Sequence, residues 1–169
     1  IYLLEGGILR GTATFTLNGA LVWSGGSMLD AGKTLLAATA SGTISGGNNK
    51  DLAVNRVLEN AGTLTVSGGT VFFNRDSFGG GAVINNLAGA TLEAQGEVDF
   101  RHNFNSPGSA INNAGLFRKT GGGTTELTAS TISLNNTGSL SVEEGTLLLN
   151  GGGTLGGSLD VAGAGELNL

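Results

Sequence analysis

The 169 residues include no cysteine and only one proline, one tryptophan, one tyrosine, one methionine and one histidine. Without thiols there is no disulfide framework and no thiolate metal site, and the redox compartment stays open. Charge is also scarce. Only 12% of residues are Asp, Glu, Lys or Arg, while 39% are hydrophobic, the reverse of a disordered chain. A net charge of −5 and a pI near 4.7 argue against nucleic acid, whose phosphates need a basic surface. No apolar run approaches the ~20 residues of a membrane helix. There is no signal peptide and no initiator Met, so a chain beginning at Ile1 reads as a processed product or an excised segment. What is abundant is glycine, 32 residues. It is not at every third position, which rules out collagen, so it serves the many tight corners of an all-β protein.

The tripeptide Leu58-Glu59-Asn60 returns as Ile84-Asn85-Asn86, Ile111-Asn112-Asn113 and Leu134-Asn135-Asn136, at steps of 26, 27 and 23 residues. Each copy is followed by a glycine: Gly62, Gly89, Gly115, Gly138. A period in this range with no helical signal between copies predicts a solenoid, each period one coil. Aligning Thr70–Asn86 with Glu97–Asn113 at a constant offset predicts two inward columns: Phe73, Phe100, Leu127, Leu149, and Leu64, Leu92, Phe117, Leu140. Alternation along a strand then turns Phe72, Asp99, Glu126, Leu148 and Thr65, Glu93, Arg118, Ser141 outward. Three short strands account for each coil, for example Leu64–Val66, Val71–Phe73 and Val83–Asn85. Toward the ends the match loosens. Ala20–Gly26 repeats Thr63–Gly69, and Leu159–Gly163 repeats Leu134–Gly138 with the second Asn lost. The expectation is one domain over 1–169, a parallel β-helix (β-solenoid) of about seven three-strand coils, roughly 34 Å long at 4.8 Å per coil.

Asn60, Asn86, Asn113 and Asn136 share the inward parity of Ile84 and form an expected internal ladder beside a corner. Stacked amides bond coil to coil and satisfy turn groups; a buried polar ligand site is the alternative. Lys119 sits in an otherwise inward column with Val66, Ala94 and Val142. It either snorkels outward along its stem or bonds corner carbonyls.

The stretches Ile111–Thr125 and Leu134–Leu149, each an Asn-Asn pair followed by a Gly turn and alternating strand residues, resemble the repeats of bacterial surface parallel β-helix proteins. These are the right-handed parallel β-helices of autotransporter passengers and filamentous-haemagglutinin-like adhesins, and the resemblance implies a right-handed, all-β parallel β-helix here. The likeness spans roughly 12–169 and is strongest over 56–155. It implies an extracellular, bacterial cell-surface setting, and it carries no catalytic signature from which a site residue could be transferred.

Two loops leave the same corner of adjacent coils, Asn74–Gly81 and Arg101–Gly108. Their Arg75, Phe78, Arg101, His102 and Phe104 form a possible ligand-contact surface, since guanidinium, imidazole and aromatic groups together suit a sugar. Repeated loops on one side of a solenoid also arise without any ligand. A polysaccharide lyase would need clustered carboxylates and a base. With Asp99 flanked by Phe72 and Leu148, a calcium cage would lack ligands. Glu93 and Arg118 are expected to pair across two rungs, interrupting the outward Thr63, Thr65, Thr91 rank that ice binding would need. Gly151–Gly157 resembles a phosphate loop only in composition, and Asn135-Asn136-Thr137 matches a glycosylation sequon of a kind common by chance. No catalytic residue, cofactor or metal is expected: one His, no Cys and scattered acids assemble no nucleophile–base pair.

Neither end reads as a cap. Ile1, Tyr2, Leu3 and Leu4 open the chain and Leu167 and Leu169 close it, strand-like and apolar, whereas solenoids usually end in a polar cap. The expected role is a non-enzymatic structural unit, stacking head to tail with other copies into a surface filament or forming part of an adhesin stalk. The alternative is a carbohydrate-binding or polysaccharide-cleaving β-helix. The expected partners are other copies of the chain and cell-surface or matrix polysaccharide, with no nucleic acid and no membrane span.

Overall fold

The computed structural model describes residues 1–75, 79–104, 108–128 and 132–169; Phe78 lies outside the described residues. Among these every regular element is a strand, and no helix is present that could be long and apolar enough to cross a membrane. Strands pair in parallel with the strand one coil away, as in Thr63↔Thr91 and Ile84↔Ile111. The chain is a β-solenoid of seven three-strand coils, plus a last strand, Ser158–Asn168, lying on the seventh. In the fourth coil the strands are Thr63–Ser67 on a first face, Thr70–Phe73 on a second and Val83–Asn86 on a third. The third face is a separate seven-stranded sheet. The first two join into one sheet because Ser139–Leu149 and Ser158–Asn168 run unbroken through both.

Alternating residues explain the strands. In Thr63–Ser67 the buried positions are Leu64 and Val66, and the polar residues between them face out. On the first face the columns are those read from the sequence: Leu64, Leu92, Phe117, Leu140, with Thr65, Glu93, Arg118, Ser141 outside. The second face differs. Phe100 lies opposite Val71, not Phe73, and Asp99 lies between Thr70 and Glu126 rather than between Phe72 and Leu148. The local offset is 29 residues there and 27 on the third face, because the later loop between these faces is shorter. A slip of two keeps side-chain parity, so Phe73 and Phe100 are both fully buried and meet edge to face at 6.3 Å between ring centres. Each such side chain contributes roughly 1.5–3 kcal/mol by burial.

A second correction concerns the end of the chain. Leu159 pairs with Leu140 on the first face, so Leu159–Gly163 does not repeat Leu134–Gly138. The strand stacked on Leu134-Asn135-Asn136 is Gly153-Thr154-Leu155. Its leading glycine and lone leucine hide the third-face pattern.

The corner from third to first face comes in two lengths. In the short form Gly62, Gly115 and Gly138 lie against the coil below: a Cβ on Gly115 would stand 2.4 Å from the carbonyl oxygens of both Leu87 and Ala90. In the longer form the turn closes on itself, Ala40 N–H donating to Ala37 O and Ala90 N–H to Leu87 O, and alanine fits. Gly89 is therefore not the counterpart of Gly62. It supplies a left-handed turn residue (φ +82°) one position before Ala90.

Candidate functional site

The third face ends each middle coil in an asparagine whose side chain turns inward. Asn60 Nδ2 donates to Asn86 Oδ1 at 2.8 Å, Asn86 to Asn113 at 2.7 Å and Asn113 to Asn136 at 2.6 Å. The same amides donate to Thr91, Leu116 and Ser139 carbonyls, each opening a first-face strand one rung above the strand that directly follows the donor asparagine. Those acceptors fix which end of every amide points along the axis. All four residues are buried. Below the ladder the column continues as Leu36 and Leu17, and above it as Leu155. One residue earlier, Asn85, Asn112 and Asn135 form an outer ladder that donates in the opposite sense, Asn112 to Asn85 and Asn135 to Asn112, both at 2.9 Å.

Three cations are buried in the stack. Lys119, fully enclosed, places its ammonium on the carbonyls of Thr120, Gly121 and Glu144, so it bonds corner carbonyls and does not snorkel. Lys50 does the same with Ser45, Gly46 and Asn48 carbonyls at 2.7–3.1 Å. Burial lowers both pKa values, opposed at Lys119 by nearby Glu144. Arg56 reaches through two coils, donating to Gly11 O at 3.0 Å, Leu29 O at 3.3 Å and Thr34 Oγ1 at 2.7 Å. Its pKa too is lowered by burial, with Asp30 opposing. Sequence reasoning missed Lys50 and Arg56; the available signal was that Lys50 shares inward parity with Leu52.

The loop side is less concentrated than its composition suggests. Arg101 pairs with Asp99 on its own strand at 3.2 Å. His102 Nδ1 lies 2.9 Å from the carbonyl oxygen of Phe104, whose ring is about half exposed. Arg75 donates its backbone N–H to buried Asp51. The hollow beside Asp99, about 320 Å³, is lined by Gly68, Gly69, Thr70, Glu97 and Asp99 and is acidic. Glu126 accepts from Asn150. Arg118 pairs with Glu143 at 2.9 Å, and Glu93 takes the Thr120 hydroxyl, so the Glu93–Arg118 pair expected across the rungs is replaced by these two contacts. Among the described residues no three His, Asp or Glu side chains converge as a metal site requires.

The two ends hold the apolar hollows. At the first coil a space of about 480 Å³ opens between residues that include Tyr2, Leu4, Leu9, Phe15 and Leu17. At the other end about 270 Å³ lies among Leu134, Leu149, Gly152, Gly153, Leu155 and Leu169. These are inward columns running out of neighbours. Leu21 is 3% exposed but Leu159, at the top of the same column, is 52% exposed. Ile1 and Leu169 are more than four-fifths exposed, and Leu167 packs partly against the core. Leu3 alternates outward between Tyr2 and Leu4, so Tyr2 and Leu4 are the side chains that a covering coil would meet. Compared with protein-family models, curated proteins and solved structures, the chain matches none.

Proposed function

We propose that this chain is a structural, non-enzymatic β-solenoid of the bacterial cell surface, a segment of a filament or adhesin stalk whose ends are covered by further coils. The observation that carries this reading is the open core at both ends: Tyr2 and Phe15 on one, Leu155, Leu159 and Val161 on the other, all 37–52% exposed. An uncovered coil also leaves a row of backbone donors and acceptors that another strand satisfies. Repeats resembling those of surface adhesins support the extracellular setting. The loop side lends a sugar-binding reading little support, because Arg101 is already paired and the neighbouring hollow is acidic.

In the isolated chain the covering coils are those of another copy, a head-to-tail contact that does not close and so extends; in a longer chain covalently attached coils would cover the same surfaces. The test is light scattering and electron microscopy of the purified 169-residue protein. The expected result is concentration-dependent fibres that shorten or vanish in a Tyr2→Asp/Leu159→Lys double variant with an unchanged β-sheet spectrum. A chain that stays monomeric at high concentration would overturn stacking between copies.

A further inference from the structure

The ends are not flat, and their shape selects how one copy sits on the next, given the stacking proposed above. The first and second faces each carry eight rungs, ending in Ser158–Asn168, while the third carries seven, ending in Gly153–Leu155. The upper end is thus stepped by one strand over the third face. At the lower end each face begins with its own strand, Tyr2–Leu4, Ile8–Leu9 and Thr14–Leu17. A copy added with like faces aligned would leave the step unfilled, with the Gly153–Leu155 edge unpaired and the adjoining hollow open.

The geometry points to a junction in which each copy is turned by one face, so that Tyr2–Leu4 of the upper copy pairs with Gly153–Leu155 of the lower. Both strands are three residues long and alternate in the same sense. Tyr2 and Leu4 face inward, in line with Leu21 and Trp23, as Gly153 and Leu155 do, in line with Leu134 and Asn136. Turned this way, the Tyr2 ring comes over Gly153, which lacks a side chain and lines the 270 Å³ hollow. Leu4 comes over Leu155. The spiral of strands then continues without a gap, Ile8–Leu9 landing on the first-face half of Ser158–Asn168 and Thr14–Leu17 on its second-face half. Successive copies are related by a third of a turn and a rise of about 37 Å, at ~4.8 Å per coil.

The absence of native cysteine makes the register testable by crosslinking at outward positions. In the turned junction Leu3 faces Thr154, and in the aligned junction it faces Asp160, the top of its own column. Neighbouring parallel strands bring such pairs within disulfide range. Under mild oxidation Leu3→Cys/Thr154→Cys should give a ladder of oligomers on a non-reducing gel, and Leu3→Cys/Asp160→Cys should remain a single band. The opposite pattern, or equal ladders from both, overturns the turned register while leaving stacking intact. No ladder from either, in variants whose circular dichroism and melting match the parent, overturns stacking itself.

Discussion

The inner and outer asparagine ladders occupy adjacent residues, repeat with the same spacing and use nearly the same hydrogen-bond lengths, yet they do different work. The inner amides, Asn60 to Asn136, are buried and tie the third face to the opening carbonyl of the first face one coil on. The outer amides, Asn85 to Asn135, are only partly buried and bond mainly to one another. Water can replace an outer bond, but it cannot reach an inner one, and an unmet buried group costs about 1–3 kcal/mol. Identical chemistry therefore locks coil to coil on one side of the backbone and only decorates the other.

The sharpest way to break that contrast is isosteric. Asn113→Asp removes both donors and buries a charge facing the Asn136 oxygen and the Ser139 carbonyl. The expected loss at neutral pH is about 3–5 kcal/mol, as for other unpaired buried charges, read from the denaturant midpoint. Burial raises the pKa of the new carboxyl, so the folded state holds the proton more tightly and the deficit narrows as pH falls. Asn112→Asp, on the outer ladder, should cost under about 1 kcal/mol, in keeping with other exposed polar positions. Equal losses would mean that burial is not what separates the ladders.

Gly115→Ala tests the corner that follows Asn113. Its Cβ would press on two carbonyl oxygens at 2.4 Å, and forced overpacking typically costs 1–3 kcal/mol. The long-form corners already carry alanine in this column, so insertion of two residues before the new alanine should recover part of the loss. If the substitution leaves the midpoint unmoved, the close approach is not rigid.

The smallest expected effect concerns Lys119. Its pKa is lowered by burial from the ordinary 10.5, so the folded protein binds this proton less tightly than the unfolded chain. The penalty is fully present below the folded pKa and is relieved as pH rises from there toward 10.5. The parent should therefore gain stability relative to Lys119→Met across that alkaline window, as measured by paired denaturant titrations. Parallel pH profiles would contradict a charged, carbonyl-held ammonium.

The coil period, the first-face columns and the parity of the inward asparagines were legible because each repeats in strands whose length and register are constant. The slip of Phe73 against Phe100 was not legible. A two-residue slip preserves the inside–outside pattern, and opposite changes in corner and loop length restore the 27-residue offset by the third face. Leu159 was misplaced for a related reason: a short apolar–polar–apolar run fits any face, and only the preceding coil decides which. Lys50 and Arg56 were missed because charged residues are almost never fully buried without partners, and their partners are mostly backbone oxygens, of its own corner for Lys50 and of the two preceding coils for Arg56, which no side-chain pattern records. Where sequence pointed to a charged loop surface around Arg101 and His102, the geometry instead spends its unpaired apolar area at Tyr2, Phe15, Leu155 and Leu159.

Arg56 has a mechanical consequence. In a solenoid each coil touches only its neighbours, so a pull along the axis would detach coils singly. The Arg56 side chain belongs to the third coil but holds Leu29 and Thr34 of the second and Gly11 of the first, acting as a rivet through three layers. Under load the first three coils should give way as one block.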